Sequence, residues 1–376
     1  MLSDKENEMR APTVVIGAVV TLVASLLLGS GSISGAAVCR HSPNSYDRGG
    51  APARGVVNDP LFQQQWGLRR VKAPEAWKKG VTGKGAVIAI LDSGIDLGHP
   101  DLTARLVRGV DLTDAPGCPG PQDESGHGTN VAGVAAASAN NGRGIAGVAP
   151  RARLMPVRVV TGLENRTPGP EEIERVNKTF AKGIRWAADH GADVINISST
   201  LMLVTDFPDD GLKPALKYAW DKGAVIMAAA GNNLSLPVCD YPANDPHVIC
   251  VGATDELGLP AFYSNQPLNS NSSVGLRAPG GRGVPSCYEP SEVLTTSLPS
   301  DCTAISGYVT TNGTSFASPH VAGVAALLAS KGLNNDEIVE CLTNTAVNPV
   351  TGLRGEFDPI YGYGEVDAGT AVRECS

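Results

Sequence analysis

Ala86-Val87-Ile88-Ala89-Ile90-Leu91 runs directly into Asp92-Ser93-Gly94-Ile95-Asp96. Six apolar residues in a row, without the polar alternation of a half-exposed strand, predict a strand buried on both faces, as in parallel sheets covered by helices. Leu154–Val160, Asp193–Ile197, Ala224–Ala229 and Val248–Val251 have the same character. Helical stretches lie between and after them at Asn130–Ser138, Glu171–His190, Pro214–Lys222, Phe316–Ser330 and Asp336–Asn344. His190-Gly191 and Lys222-Gly223 are suitable helix stops, a basic last turn followed by glycine. This alternation predicts an α/β fold, a parallel sheet layered between helices. No internal repeat or low-complexity block divides the chain, so one domain is expected over residues 61–376, preceded by an extended arm over 37–60.

Composition narrows the classes of function. The chain has 376 residues, 42% hydrophobic and 18% charged, enough for a sizeable core and too apolar for a disordered tail protein. Glycine (44) and proline (27) occur without a fixed period, which excludes collagen and predicts many turns. The net charge is −8 and no Lys/Arg run occurs. Nothing here could displace phosphate counterions, so no nucleic-acid partner is expected.

The N-terminus points to export. After Arg10 no charge appears until Arg40, and Val14–Leu28 is mostly apolar, followed by small residues through Ser34-Gly35-Ala36-Ala37. That order reads as a signal peptide over residues 1–36, cut near Ala36 or Ala37. A retained anchor is the alternative, because the uncharged gap approaches the ~20 residues that span a bilayer. Asp4, Glu6 and Glu8 make a poor leader start; initiation at Met9 gives a better one. The eight cysteines include no CxxC pair, which disfavours zinc and favours disulfides in an exported chain. Separation along the chain suggests Cys239–Cys250, Cys287–Cys302, Cys341–Cys375 and Cys39–Cys118, although sequence leaves connectivity open.

Catalytic groups of open parallel sheets gather at the carboxyl ends of the strands. Asp92 stands at such an end. His127 lies in Ser125-Gly126-His127-Gly128-Thr129, just before a helix of small residues. Ser315 lies in Asn312-Gly313-Thr314-Ser315-Phe316-Ala317-Ser318-Pro319-His320, opening another helix. A serine hydroxyl is a weak nucleophile until a base takes its proton. Histidine suits that task at neutral pH, and a buried carboxylate would fix its tautomer. Taken singly, Asp92 reads as a turn residue and Ser315 as a helix cap. His99, His190, His247, His41 and His320 read as turn, helix-end, loop or structural residues. Gly142-Arg143-Gly144-Ile145-Ala146-Gly147 matches GxGxxG but follows a helix, so it does not indicate dinucleotide binding, and GxSxG and HExxH are absent.

In their order Asp, His, Ser, these blocks resemble the subtilisin-like serine proteases: Asp92-Ser93-Gly94 with Asp96, His99, Pro100 and Asp101; His127-Gly128-Thr129 with Val131-Ala132-Gly133; and Gly313-Thr314-Ser315 with Ala317-Ser318-Pro319-His320. A fourth block, Ala229-Ala230-Gly231-Asn232, resembles the strand end whose asparagine completes the oxyanion hole. The resemblance spans roughly residues 60–372 and implies a subtilisin-like three-layer αβα fold. It also implies a secreted, monomeric serine endopeptidase acting on proteins or peptides through an acyl-enzyme. Asp92, His127 and Ser315 would form the triad, Asn232 the oxyanion donor, and Ser198, Ser199 and Gly231 would contact substrate. No metal is expected in catalysis. A structural calcium is implied at Asp101 and the Ser138–Arg143 loop, although Arg143 there is itself a cation.

The chain also departs from the family. Asn130 replaces a common histidine, Ser198-Ser199-Thr200-Leu201 replaces Ser-Leu-Gly-Gly beside the specificity pocket, and Pro168 and Pro170 interrupt the opposite segment Glu164–Glu172. About 25 residues precede Gln65-Trp66-Gly67-Leu68 after the cleavage point, too few for the foldase prodomain most members carry. Two competing expectations are a catalytically silent binding protein of the same fold and a membrane-anchored processing protease. Fluorophosphonate labelling of Ser315 separates the first from an enzyme, and fractionation separates the second from a secreted one.

Overall fold

The computed structural model describes residues 57–114, 117–118, 120–161, 169–199, 211–233, 236–267, 274–281, 293–296 and 307–376. The expected leader, the arm up to residue 56 and the Cys39–Cys118 and Cys287–Cys302 pairings fall wholly or partly outside them. Segment 162–168 and residues Thr200 and Leu201, both named for the substrate cleft, also lie outside.

Val87–Asp92 (β1) lies near the middle of a seven-stranded sheet. The other strands are Val110–Asp111 (β2), Arg153–Arg158 (β3), Val194–Ile197 (β4), Val225–Ala229 (β5), Val248–Thr254 (β6) and Val274–Pro279 (β7). They are ordered β2-β3-β1-β4-β5-β6-β7, and every pairing is parallel. Val293–Thr296 (β8) and Tyr308–Thr311 (β9) pair antiparallel as a separate ribbon.

The helices are Trp66–Arg70 (α1), Ala73–Lys78 (α2), His127–Ala136 (α3), Pro170–Asp189 (α4), Leu212–Asp221 (α5), Thr314–Ala329 (α6), Asn335–Thr345 (α7) and Ala368–Glu374 (α8). The unbroken apolar character of β1 has a direct structural counterpart. Ile88 and Ile90 pack in one core with α3 and α6, whereas Ala89 and Leu91 pack in the other with Phe180 and Ile184 of α4 and Leu216 of α5. The sheet is thus buried on both faces, and each such Ile or Leu contributes about 1.5–3 kcal/mol. This is the three-layer αβα arrangement expected from the sequence.

The chain leaves β1 toward β3 on one side and later returns to β4 on the other. The carboxyl end of β1 is therefore a topological switch point, where a crevice opens in sheets of this kind. The Cys239–Cys250 and Cys341–Cys375 disulfides are present, and Cys118 is disulfide-bonded as well. Among the described residues no helix is long and apolar enough to cross a membrane.

Several elements differ from the sequence reading. α3 starts at His127, three residues earlier than expected, so the histidine sits in the first turn itself. β7 was hidden because Arg277 interrupts Val274-Gly275-Leu276. Its guanidinium is buried by donating to the carbonyls of Ala253 and Ile360.

Candidate active site

Asp92 is the last residue of β1 and is 1% exposed. Its carboxylate accepts the Ser93 N–H at 2.7 Å and meets His127 Nδ1 at 2.8 and 3.0 Å. An ionised carboxylate only accepts, so Nδ1 carries the proton and Nε2 is left as the basic nitrogen. Burial works against charging the ring, yet the Asp92 charge and hydrogen bond, with Asp123 nearby, hold His127 above the usual imidazole pKa. The side chain is 20% exposed, so the ring is not sealed from solvent.

Asp123, which sequence reasoning missed, starts the helix that carries this ring. Its Oδ1 accepts the N–H groups of Ser125 and Gly126, and its Oδ2 accepts the Thr129 backbone N–H and the Thr129 hydroxyl. Helix-start N–H groups have no intrahelical acceptor, and a carboxylate there also favours the helix dipole. Gly128 follows because nothing larger fits: a Cβ there would lie 2.1 Å from the Gly94 carbonyl and 3.0 Å from the Asp92 Cβ. Arg158, register partner of Asp92 across β1 and β3, anchors the connecting loop through Glu124 at 2.8 Å and the Gln122 carbonyl.

Ser315 sits in the first turn of α6, whose early N–H groups likewise lack intrahelical acceptors. The Phe316 ring lies 5.8 Å from the His127 ring, and α3 packs against α6. The Ser315 hydroxyl donates to the Ser198 carbonyl at 2.8 Å. A hydroxyl has one proton, so in this resting geometry it is not donating to His127.

Asn232 follows β5. Its Oδ1 accepts both the Thr314 N–H and the Thr314 hydroxyl at 3.0 Å, which leaves its Nδ2 donors to the other side. Thr314, part of the Ser315 block but given no role of its own by the sequence, also accepts the Gly231 N–H. Gly231 has φ +107°, and a Cβ there would meet the Asp240 carboxylate at 2.1 Å and the Asn265 amide at 2.5 Å. Asn265 donates to Asp240 and to the Ala230 carbonyl, fixing the strand end from behind. The signal for Asp240 and Asn265 is their meeting in space, since they lie 25 residues apart.

Ser198 directly follows β4, and its hydroxyl donates to the Ser315 carbonyl at 2.8 Å. Ser199 is buried, and its hydroxyl has no hydrogen-bond partner among the described residues. His320 is fully buried and donates from Nδ1 to the Phe316 carbonyl; burial pushes its pKa down to about 4, so it stays neutral. His190 bonds the Trp186 carbonyl at the end of α4, in keeping with a helix-end role.

The corner implied to hold calcium has a different donor set. Asp101 accepts the Asn141 side-chain amide at 2.7 Å, the Tyr308 hydroxyl at 2.8 Å and the Ile145 N–H at 3.1 Å. Asp59 accepts the N–H groups of Asn140 and Asn141. Both carboxylates thus face N–H and O–H donors, whereas calcium needs six to eight oxygens turned inward. In this arrangement the residues do not fit the ion.

A sequence model described as the Subtilase family matches residues 83–364. Thermitase of Thermoactinomyces vulgaris is 40% identical over 290 residues, 77% of this chain and 91% of its own length. The thermophilic serine proteinase of Bacillus sp. (strain AK1) is 38% identical over 318 residues, covering 84% and 69% respectively. Among solved structures, a protease of Pseudoalteromonas arctica superposes with a TM-score of 0.69 at 30% identity, covering 86% of this chain and all of that one.

Proposed function

The chain belongs to the subtilase family of serine endopeptidases, and from that premise we propose that Ser315 cleaves peptide bonds through an acyl-enzyme. Ser315 Oγ attacks the scissile carbonyl while His127 Nε2 takes its proton, and the same nitrogen returns the proton to the leaving amine. Asp92 keeps Nδ1 protonated and supports the imidazolium that forms. The developing oxyanion is met by the Asn232 side-chain amide and the Ser315 backbone N–H. Ser198, Ser199 and Gly231 line the path of the substrate main chain.

The observation that carries this reading is the Asp92–His127 pair at 2.8 Å facing the first turn of α6. For Ser315 to attack, its hydroxyl must rotate from the Ser198 carbonyl to His127 Nε2. A substrate main chain that occupies the Ser198 carbonyl would release it. Ser315→Ala tests the nucleophile: hydrolysis of a peptide substrate should fall about 10⁶-fold, the size known for this triad in subtilisin. Turnover at the wild-type rate would refute the assignment.

We infer export from the apolar segment Val14–Leu28 and from the disulfides, which persist in oxidising compartments. N-terminal sequencing of the exported protein should begin just after Ala36 or Ala37. The charge-free stretch between Arg10 and Arg40 also allows a retained anchor, in which case the full chain fractionates with membranes. The calcium corner is read as closed by its own hydrogen bonds, with no metal in either catalysis or folding.

A further inference from the structure

Asn196 occupies the third position of β4, between Ile90 on one neighbouring strand and Met227 on the other, and is fully buried. An amide in such a core is costly unless both of its ends are bonded. Both are: Nδ2 donates to the Ser198 hydroxyl at 2.9 Å, and Oδ1 accepts the Ser318 hydroxyl at 2.7 Å. Ser198 in turn donates to the Ser315 carbonyl, and the Ser315 hydroxyl returns a bond to the Ser198 carbonyl, each at 2.8 Å. The two serines therefore exchange hydroxyl-to-carbonyl bonds across 117 residues of chain.

Pro319 explains why that carbonyl needs an outside donor. In an α-helix the N–H of residue 319 would bond the carbonyl of residue 315, and proline has no N–H. Pro319 thus leaves the nucleophile's own carbonyl without its helical partner, and Ser198 supplies the missing donor. Ser318, the residue before the proline, faces the same strand and holds Asn196. A buried network of this kind rigidifies what it joins when every member is satisfied.

We propose that Asn196 and Ser318 are positioning residues for the nucleophile: through Ser198 they fix the Ser315 backbone where Pro319 has loosened α6. This rests on Ser315 being the nucleophile. Neither residue touches substrate, so the network sets where Oγ and the adjoining N–H stand relative to the scissile carbonyl. A misplacement near 1 Å costs on the order of 10²-fold in rate.

The test is phosphonylation by a fluorophosphonate, with the adduct mapped by mass spectrometry, in wild type, Asn196→Ala, Ser318→Ala and the double variant. Peptide hydrolysis is measured alongside, per titrated active site. Ser318→Ala removes one hydroxyl and keeps the question open to refutation if Asn196→Ala fails to fold. The expected result is labelling at Ser315 in wild type and roughly 10- to 10²-fold slower labelling and lower kcat in the variants. KM and the midpoint of the pH profile stay unchanged, because His127 is untouched. The double variant should be no worse than the more impaired single one, since both act through one path. Wild-type labelling rates and kcat in Ser318→Ala, with only Tm lowered, would overturn the positioning role and leave the nucleophile assignment intact. A wild-type adduct mapped away from Ser315 would overturn both.

Discussion

The last residue of β1, Asp92, and the loop that follows it, with Asp101, each place a buried aspartate beside a histidine, to opposite effect. At the proposed catalytic edge the Asp92 carboxylate bonds the ring of His127, whose pKa is raised although burial opposes it. At the neighbouring corner His99 and Asp101 are two residues apart, but the Asp101 carboxylate does not bond that ring. His99 Nδ1 accepts the Asp101 backbone N–H at 3.1 Å, so Nε2 carries the proton toward the Gly307 carbonyl. Burial then lowers the His99 pKa, and the Asp101 carboxylate holds Asn141, Tyr308 and Ile145 instead. Nearness of the same two residue types does not make a base. What decides is whether the carboxylate meets the ring nitrogen, and whether the opposite nitrogen has somewhere to deliver a proton.

The largest way to break this contrast is Asp92→Asn. It removes the charge that fixes the His127 tautomer, and kcat should fall about 10⁴-fold, as for an Asp-to-Asn change in a Ser–His–Asp triad. The sign of the pH dependence follows from the raised pKa. The proposed base, His127, would work only when neutral, so wild-type kcat/KM should rise with pH through a midpoint above the ordinary imidazole value of about 6.5. Residual activity of Asp92→Asn should have its midpoint displaced downward. A midpoint that does not move would show that Asp92 does not govern the ring.

Asn232→Leu comes next. Thr314 holds the Asn232 side-chain oxygen, so the proposed oxyanion role falls to its N–H donors. Their loss should cost about 10²–10³ in kcat with KM nearly constant, the range known for the equivalent subtilisin asparagine. A rise in KM alone would move Asn232 to substrate binding.

At the corner, effects belong to stability. Burial and the Asp101 charge push the Tyr308 pKa up, so its hydroxyl remains a donor. Tyr308→Phe leaves Asp101 short of one partner and should destabilise the fold by about 1–3 kcal/mol, read from denaturant unfolding, with kcat unaltered. The smallest expected effect is none: Tm in excess calcium and in chelator should coincide, and a rise of several degrees with calcium would show that the corner reorganises around the ion.

Much of this was legible in the chain. Residues 86–91 declared the doubly covered sheet because no polar residue interrupts them. Asp92, His127, Ser315 and Asn232 stand in blocks whose neighbours are as informative as themselves. Asp123 and Asn196, and the part Thr314 plays in holding Asn232, were not legible, because such polar residues acquire their meaning from partners brought to them by folding. Pro319 is the exception. It stands four residues after Ser315, so the unpaired carbonyl it leaves was implicit in the sequence, although its donor, Ser198, was not. At the corner, Asp101 matches a family calcium ligand, whereas the Ser138–Arg143 loop with its cation matches less well, and the hydrogen bonds from Asn141 and the loop N–H groups were not legible.

The central claim is that Ser315 is the nucleophile and His127 its base. Its most direct test is covalent: treat wild type and His127→Ala with a fluorophosphonate and map the adduct by peptide mass spectrometry. The account predicts a single phosphonylated residue, Ser315, in wild type and almost no adduct in His127→Ala. An adduct on another residue, or equally fast labelling of Ser315 without the histidine, would contradict it.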